Sequence, residues 1–111
     1  MQALRVDVLL PRFHNPDPHG RRKSIEPAKL QQTLDEIESA FGGYTLNDLL
    51  ITGSWIDPST KKSIEDSHAS IWITVEKKPE TINKLKQLKE EWKTRFDQED
   101  IMVYYITIDM L

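Results

Sequence analysis

The chain has no cysteine. That absence removes disulfide staples, thiolate nucleophiles and cysteine-based zinc or iron–sulfur sites together. Glycine and proline are scarce, at 4 and 6 residues of 111, which argues against a disordered or linker-dominated chain. No N-terminal stretch joins a basic segment to an apolar run, and no apolar run approaches the roughly 20 residues of a membrane span. A cytoplasmic protein with no membrane partner is the expectation. An excess of basic charge is missing too: the formal net charge is −3, so the molecule as a whole carries no field that draws in nucleic acid.

What remains is the balance of a globular domain, with 38% hydrophobic and 30% charged residues. One domain over residues 1–111 fits this length, burying roughly two-thirds of the unfolded surface.

Residues 2–11 alternate, with Leu4, Val6, Val8 and Leu10 on one side, as a half-buried strand requires. Residues 11–24 hold Pro11, Pro16, Pro18 and Gly20 and read as a loop without regular structure, carrying Arg12, His14, His19, Arg21, Arg22 and Lys23. Pro27 suits a first helical turn, and Leu30, Leu34, Ile37 and Phe41 recur at helical spacing up to Gly42 and Gly43, one of which closes the helix in a left-handed conformation. The segment 44–57 reads as a strand that Asn47 and Asp48 bend or bulge. A polar turn over 58–67 follows, and then a return strand, Ser-Ile-Trp-Ile-Thr-Val over 70–75, with Ile71, Ile73 and Val75 facing the helices and Trp72 facing away. Pro79 opens a second helix whose stripe is Ile82, Leu85, Leu88, Trp92 and Phe96. On its surface Glu91 and Arg95 have the spacing of an ion pair. Residues 101–109 form a last strand, apolar on both sides and so expected to be covered on both.

The order is β-α-β-β-α-β. With short connections it predicts an α+β fold, the ferredoxin-like βαββαβ sandwich: an antiparallel four-stranded sheet in order 4-1-3-2 with two helices on one face. Two surfaces then stand out. One is a polar rim where the first loop, the hairpin around 57–68 and the junction 97–100 meet. The other is the open sheet face, onto which Trp72 and one of Tyr104 or Tyr105 point. An apolar face of that size calls for a cover.

Phe41-Gly-Gly-Tyr-Thr45, Gly53-Ser-Trp-Ile-Asp57, Asp66 and Phe96-Asp-Gln-Glu99 together resemble a pattern shared by small uncharacterised bacterial proteins of ferredoxin-like fold. The resemblance spans residues 40–111, with Asp97 where that pattern has glycine. It implies the fold and marks Trp55, Asp57, Gln98 and Glu99 as residues of interest. It implies no catalytic residue, metal or cofactor.

The residues support a homodimeric binding or regulatory module. An unidentified ligand would sit at the rim on Trp55, Asp57, Gln98 and Glu99, with charge from Arg21 and Arg22. Trp72 and Tyr105 would form the dimer interface. The alternative is a metal-dependent hydrolase or nuclease at the same rim, using His14, His68, Asp57, Asp66 and Glu99, residue types that suit Zn, Mn or Fe. No tight ligand spacing supports it. Nucleic acid is a minor reading, because the strands lack a basic-aromatic motif despite Arg21-Arg22-Lys23.

Overall fold

Alternation in the first residues becomes β1, Gln2–Pro11, whose Leu4, Val6, Val8 and Leu10 are all fully buried. The computed structural model describes residues 2–111, the side chains of residues 48 and 50 excepted. Helix α1, Pro27–Phe41, starts on a proline whose missing N–H costs nothing there, and Gly42 ends it at φ 91° with its N–H donating to the Glu38 carbonyl. Strands β2, Thr45–Ile56, and β3, Ser63–Glu76, form the hairpin. Helix α2, Pro79–Arg95, and β4, Met102–Asp109, complete the chain.

The fold is α+β, with two helices and an antiparallel sheet whose strands lie in the order β2-β3-β1-β4. β2 pairs with β3 in two pieces. Asn47 is opposite Ser70 and Ile51 opposite His68, so residues 48–50 bulge out beside Ala69 alone. The sheet is thus built of five pairing segments rather than four uninterrupted strands.

Both helices cover one face. Leu34 and Ile37 of α1 and Leu85, Leu88 and Trp92 of α2 join Val6, Val8, Ile71 and Ile73 in a single buried cluster; each such aliphatic side chain contributes roughly 1.5–3 kcal/mol. A polar knot ties the helices above that core. Trp92 Nε1 donates to Glu36 at 2.6 Å, and Arg95 reaches Glu36 at 2.9 Å and Thr33 Oγ1 at 2.8 Å. Partial burial opposes ionisation of Glu36, but the hydrogen bonds from Arg95 and Trp92 outweigh it and hold the carboxyl below the usual range. Arg95 therefore pairs across the helix interface, not with Glu91 on its own helix as its spacing suggested.

Four sequence expectations need correction. First, the hairpin turn is short: Asp57 and Lys62 close it through Asp57 N–H to the Lys62 carbonyl at 2.9 Å, and β3 already begins at Ser63. Ser63 to Ser67 read as turn because this end of the hairpin runs past β1, whose last partner is His68. With no helix-covered core to face, it shows no apolar alternation. Second, the first loop is not irregular throughout. Arg12 N–H donates to the Ser67 carbonyl, Phe13 bridges Ser24, His14 N–H donates to the Lys23 carbonyl, and a turn links Asp17 to Arg21. These bonds fold it back on itself as an arm lying against β3. Third, β4 is not covered on both sides, since it is an edge strand with Met102, Tyr104, Tyr105 and Ile106 each about half exposed. Fourth, Tyr105 pairs with Val6 and so lies on the helix side, whereas Tyr104, opposite Asp7, lies on the open face with Trp72.

Candidate functional site

The arm and the projecting hairpin meet through Arg22. Its Nε donates to the His14 carbonyl at 2.9 Å, one terminal nitrogen to the Glu65 carbonyl at 2.9 Å, and the other to Asp66 Oδ1 at 2.6 Å. A guanidinium fork held at three points is immobile. Asp66 uses its second oxygen to accept from Trp55 Nε1 at 2.8 Å. The indole, itself about half exposed, is therefore fixed at the surface in one orientation. Partial burial works against the Asp66 charge, but hydrogen bonds from Arg22 and Trp55 and the nearby Arg22 charge overcome it and lower the carboxyl's pKa.

His68 lies two residues further along β3, on the same face as Asp66, and its ring rests over Gly53 of β2. Burial lowers its pKa from 6.5; Asp66 opposes this and the Arg22 charge adds to it. The shift favours the uncharged imidazole near pH 7. Trp55, Asp66, Arg22 and His68 thus form a corner with a rigid aromatic plane, a clamped carboxylate and an imidazole.

The other residues singled out from the sequence are spread more widely. Asp57 Oδ1 accepts from the Ser59 N–H at 2.8 Å and the Ser59 hydroxyl at 2.7 Å, so its carboxylate shapes the turn. Those bonds also lower its pKa. Gln98 donates to the Phe96 carbonyl at 3.2 Å and finishes the end of α2. Glu99 is exposed. Arg21 is exposed too, with its backbone N–H given to Asp17 Oδ1. The arm also reaches the junction 97–100 of the predicted rim, where Asn15 Nδ2 donates to the Asp97 carbonyl at 3.2 Å. Of the predicted binding residues, the fold brings Arg22 and Trp55 together. Asp66, which the sequence offered as a metal ligand and as part of the family pattern, and His68, offered only as a metal ligand, join them, because period two along β3 puts residues 66 and 68 on one face.

The metal alternative loses its geometry. Among the described residues no three His, Asp or Glu side chains converge as a metal group. His14 is engaged instead with Glu26 at 3.2 Å, beside the start of α1.

On the open face, Arg5 donates to Asp7 at 3.2 Å and its guanidinium lies 4.8 Å from the centre of the Trp72 ring. Asp7 is buried even though it is on the uncovered side. Met110 and Leu111 remain exposed and do not cover this face. Two hollows lie at the end of the sheet away from the arm. One, of about 270 Å³, is bounded by Gly42, Gly43 and Trp72, and the other, of about 430 Å³, by Lys77, Pro79 and Ile82. Among the described residues, no helix is long and apolar enough to cross a membrane.

No curated protein matches the chain. Among solved structures it is similar to a phage SAM lyase in complex with S-methyl-5'-thioadenosine, at 12% identity and a TM-score of 0.66, over 97% of this chain and 90% of that one. At that identity the likeness is one of fold. With residues 17–109 matched by the model of the family described as "Protein of unknown function (DUF3574)", the chain belongs to that family.

Proposed function

We propose that the chain is a homodimeric binding module of ferredoxin-like fold that holds a small planar ligand at the corner between arm and hairpin. The carrying observation is Trp55: a large aromatic ring, about half exposed, pinned by its Nε1–H to an Asp66 that Arg22 in turn clamps. An aromatic ring already fixed in place loses little entropy on binding, and stacking a base on it is worth roughly 1–3 kcal/mol. His68, whose ring lies over Gly53 two residues before Trp55 and whose pKa burial lowers, supplies one donor and one acceptor in its neutral form, which suits an uncharged heterocycle. Arg21, exposed on the arm, offers a positive charge at the margin.

The phage lyase of similar fold was captured with S-methyl-5'-thioadenosine, and that nucleoside is a suitable first probe for this corner. Titrating it to millimolar concentration while following the Trp55 indole N–H by NMR tests the reading. Saturable shifts of that signal and of the His68 ring, lost in Trp55→Ala, support it. No shift at either group, or shifts confined to Trp72, would rule the corner out.

A further inference from the structure

We infer that two copies of this chain join along β4, edge to edge, to make one continuous sheet; this rests on the homodimer reading above and specifies its interface. An edge strand presents a row of unpaired N–H and C=O groups, and soluble proteins usually blunt such edges with charges, prolines, bulges or very short strands. β4 has none of these between Met102 and Ile108, a stretch with no charged residue and no proline in a chain that is 30% charged. Its pairing with β1 runs without a register shift from Gln2 opposite Asp109 to Leu9 opposite Met102. Apolar and aromatic side chains are exposed on both of its faces: Met102, Tyr104 and Ile106 on the open side, and Tyr105 on the helix side.

The partner is a second copy because the strand is complementary to itself. Antiparallel pairing about a two-fold axis at Tyr105 sets Tyr104 against Ile106, Val103 against Thr107 and Met102 against Ile108, each pair occurring twice. Aromatic and β-branched residues directly opposite one another are favourable cross-strand pairs. The neighbouring registers that keep the faces matched are worse. Shifting the axis to Tyr104 sets Asp109 against Glu99, and shifting it to Ile106 sets Asp109 against Val103. The Tyr105 register places Asp109 against Ile101 and leaves no like charges opposed. The four helices of the pair then lie on one side, and the two open faces merge into one surface carrying Trp72 and Tyr104 from each copy.

The test is molar mass by light scattering behind size exclusion on the full chain, for the parent, Tyr105→Lys and Trp72→Arg. Tyr105 lies on the helix side of the edge and Trp72 on the open face, so each variant disables one interface and spares the other. Edge pairing predicts a dimeric parent, a folded monomer for Tyr105→Lys and a dimer for Trp72→Arg. A dimeric Tyr105→Lys overturns the edge interface while leaving the homodimer reading standing. A parent that is monomeric at millimolar concentration overturns both. Should Tyr105→Lys misfold, Thr107→Lys, at an exposed position on the same side, takes its place. Hydrogen exchange on the parent gives a second readout: the β4 amides that face away from β1 are protected if the edge pairs, and fast exchange of all of them excludes it.

Discussion

The two edges of this sheet are built in opposite ways. At one edge β2 is irregular: residues 48–50 bulge, the strand pairs in two pieces, and its far end is fastened by Trp55 to Asp66 and by Ser54 to Ser63. At the other, β4 is regular and without a bulge, and exposes Met102, Tyr104, Tyr105 and Ile106. A bulge twists an edge away from further pairing, whereas a flat apolar edge invites it. The bulged edge is a poor template for a further strand, and its far end carries the polar corner. The other is left for another strand.

The largest effect comes from making the edges alike. Deleting two of residues 48–50 lets β2 pair with β3 in one register. The variant is expected to associate through both edges, giving a broad, upward-shifted mass distribution in light scattering where the parent gives one discrete species. If it remains discrete, the bulge is not what protects this edge.

Next, Asp66→Ala removes the shared acceptor of Arg22 and Trp55 and leaves a partly buried guanidinium without its carboxylate. A loss of about 2 kcal/mol is expected in urea unfolding. Amide exchange should accelerate at 51–56 while β4 stays unchanged. Equal acceleration at both edges would show that the corner is not a local fastening.

Acid separates the edges less strongly. His68 has a lowered pKa in the fold, so the unfolded chain takes up the proton first, and stability falls as pH drops below 6.5 toward the folded value. Glu36 and Asp66 are also lowered. Their stabilisation is present above their ordinary values of 4.5 and 3.8 and is lost as pH falls through the folded ones. β2 protection is expected to weaken first, between pH 6.5 and the carboxylate range, while β4, which carries no acid or histidine from Met102 to Ile108, holds. His68→Gln should flatten the upper part of that curve in urea midpoints measured against pH.

The smallest effect is that of Ser54→Ala, which removes an exposed hydroxyl pair at 2.9 Å. About 0.5 kcal/mol or less is expected in the same unfolding measurement.

Much of the architecture is legible in periodicity. Leu4, Val6, Val8 and Leu10 alternate because one face of β1 is buried, and Leu34, Ile37, Leu85, Leu88 and Trp92 recur at helical spacing because each helix offers one stripe to the sheet. The Gly42 cap and the interruption at Asn47 are readable as well, since each depends on a local backbone demand. The candidate corner was half legible. Arg22 and Trp55 are the residue types that binding sites use, but nothing in their spacing says that both reach Asp66, which is 44 residues from one and 11 from the other.

The amino-acid sequence by itself determined which segments are strands and helices, where α1 stops and which stripe each helix buries, because these follow from neighbours a few residues apart. Only the tertiary structure decided that the first loop is an arm locked by Arg22, that β3 begins at Ser63, that Tyr105 lies beside the helices and that the side chains of β4 are left exposed on both faces. These four depend on register and strand order, and so on hydrogen bonds between distant parts of the chain. A run apolar on both faces reads the same whether it sits at the centre of a sheet or at its edge. Neighbours in space, not in sequence, decide which.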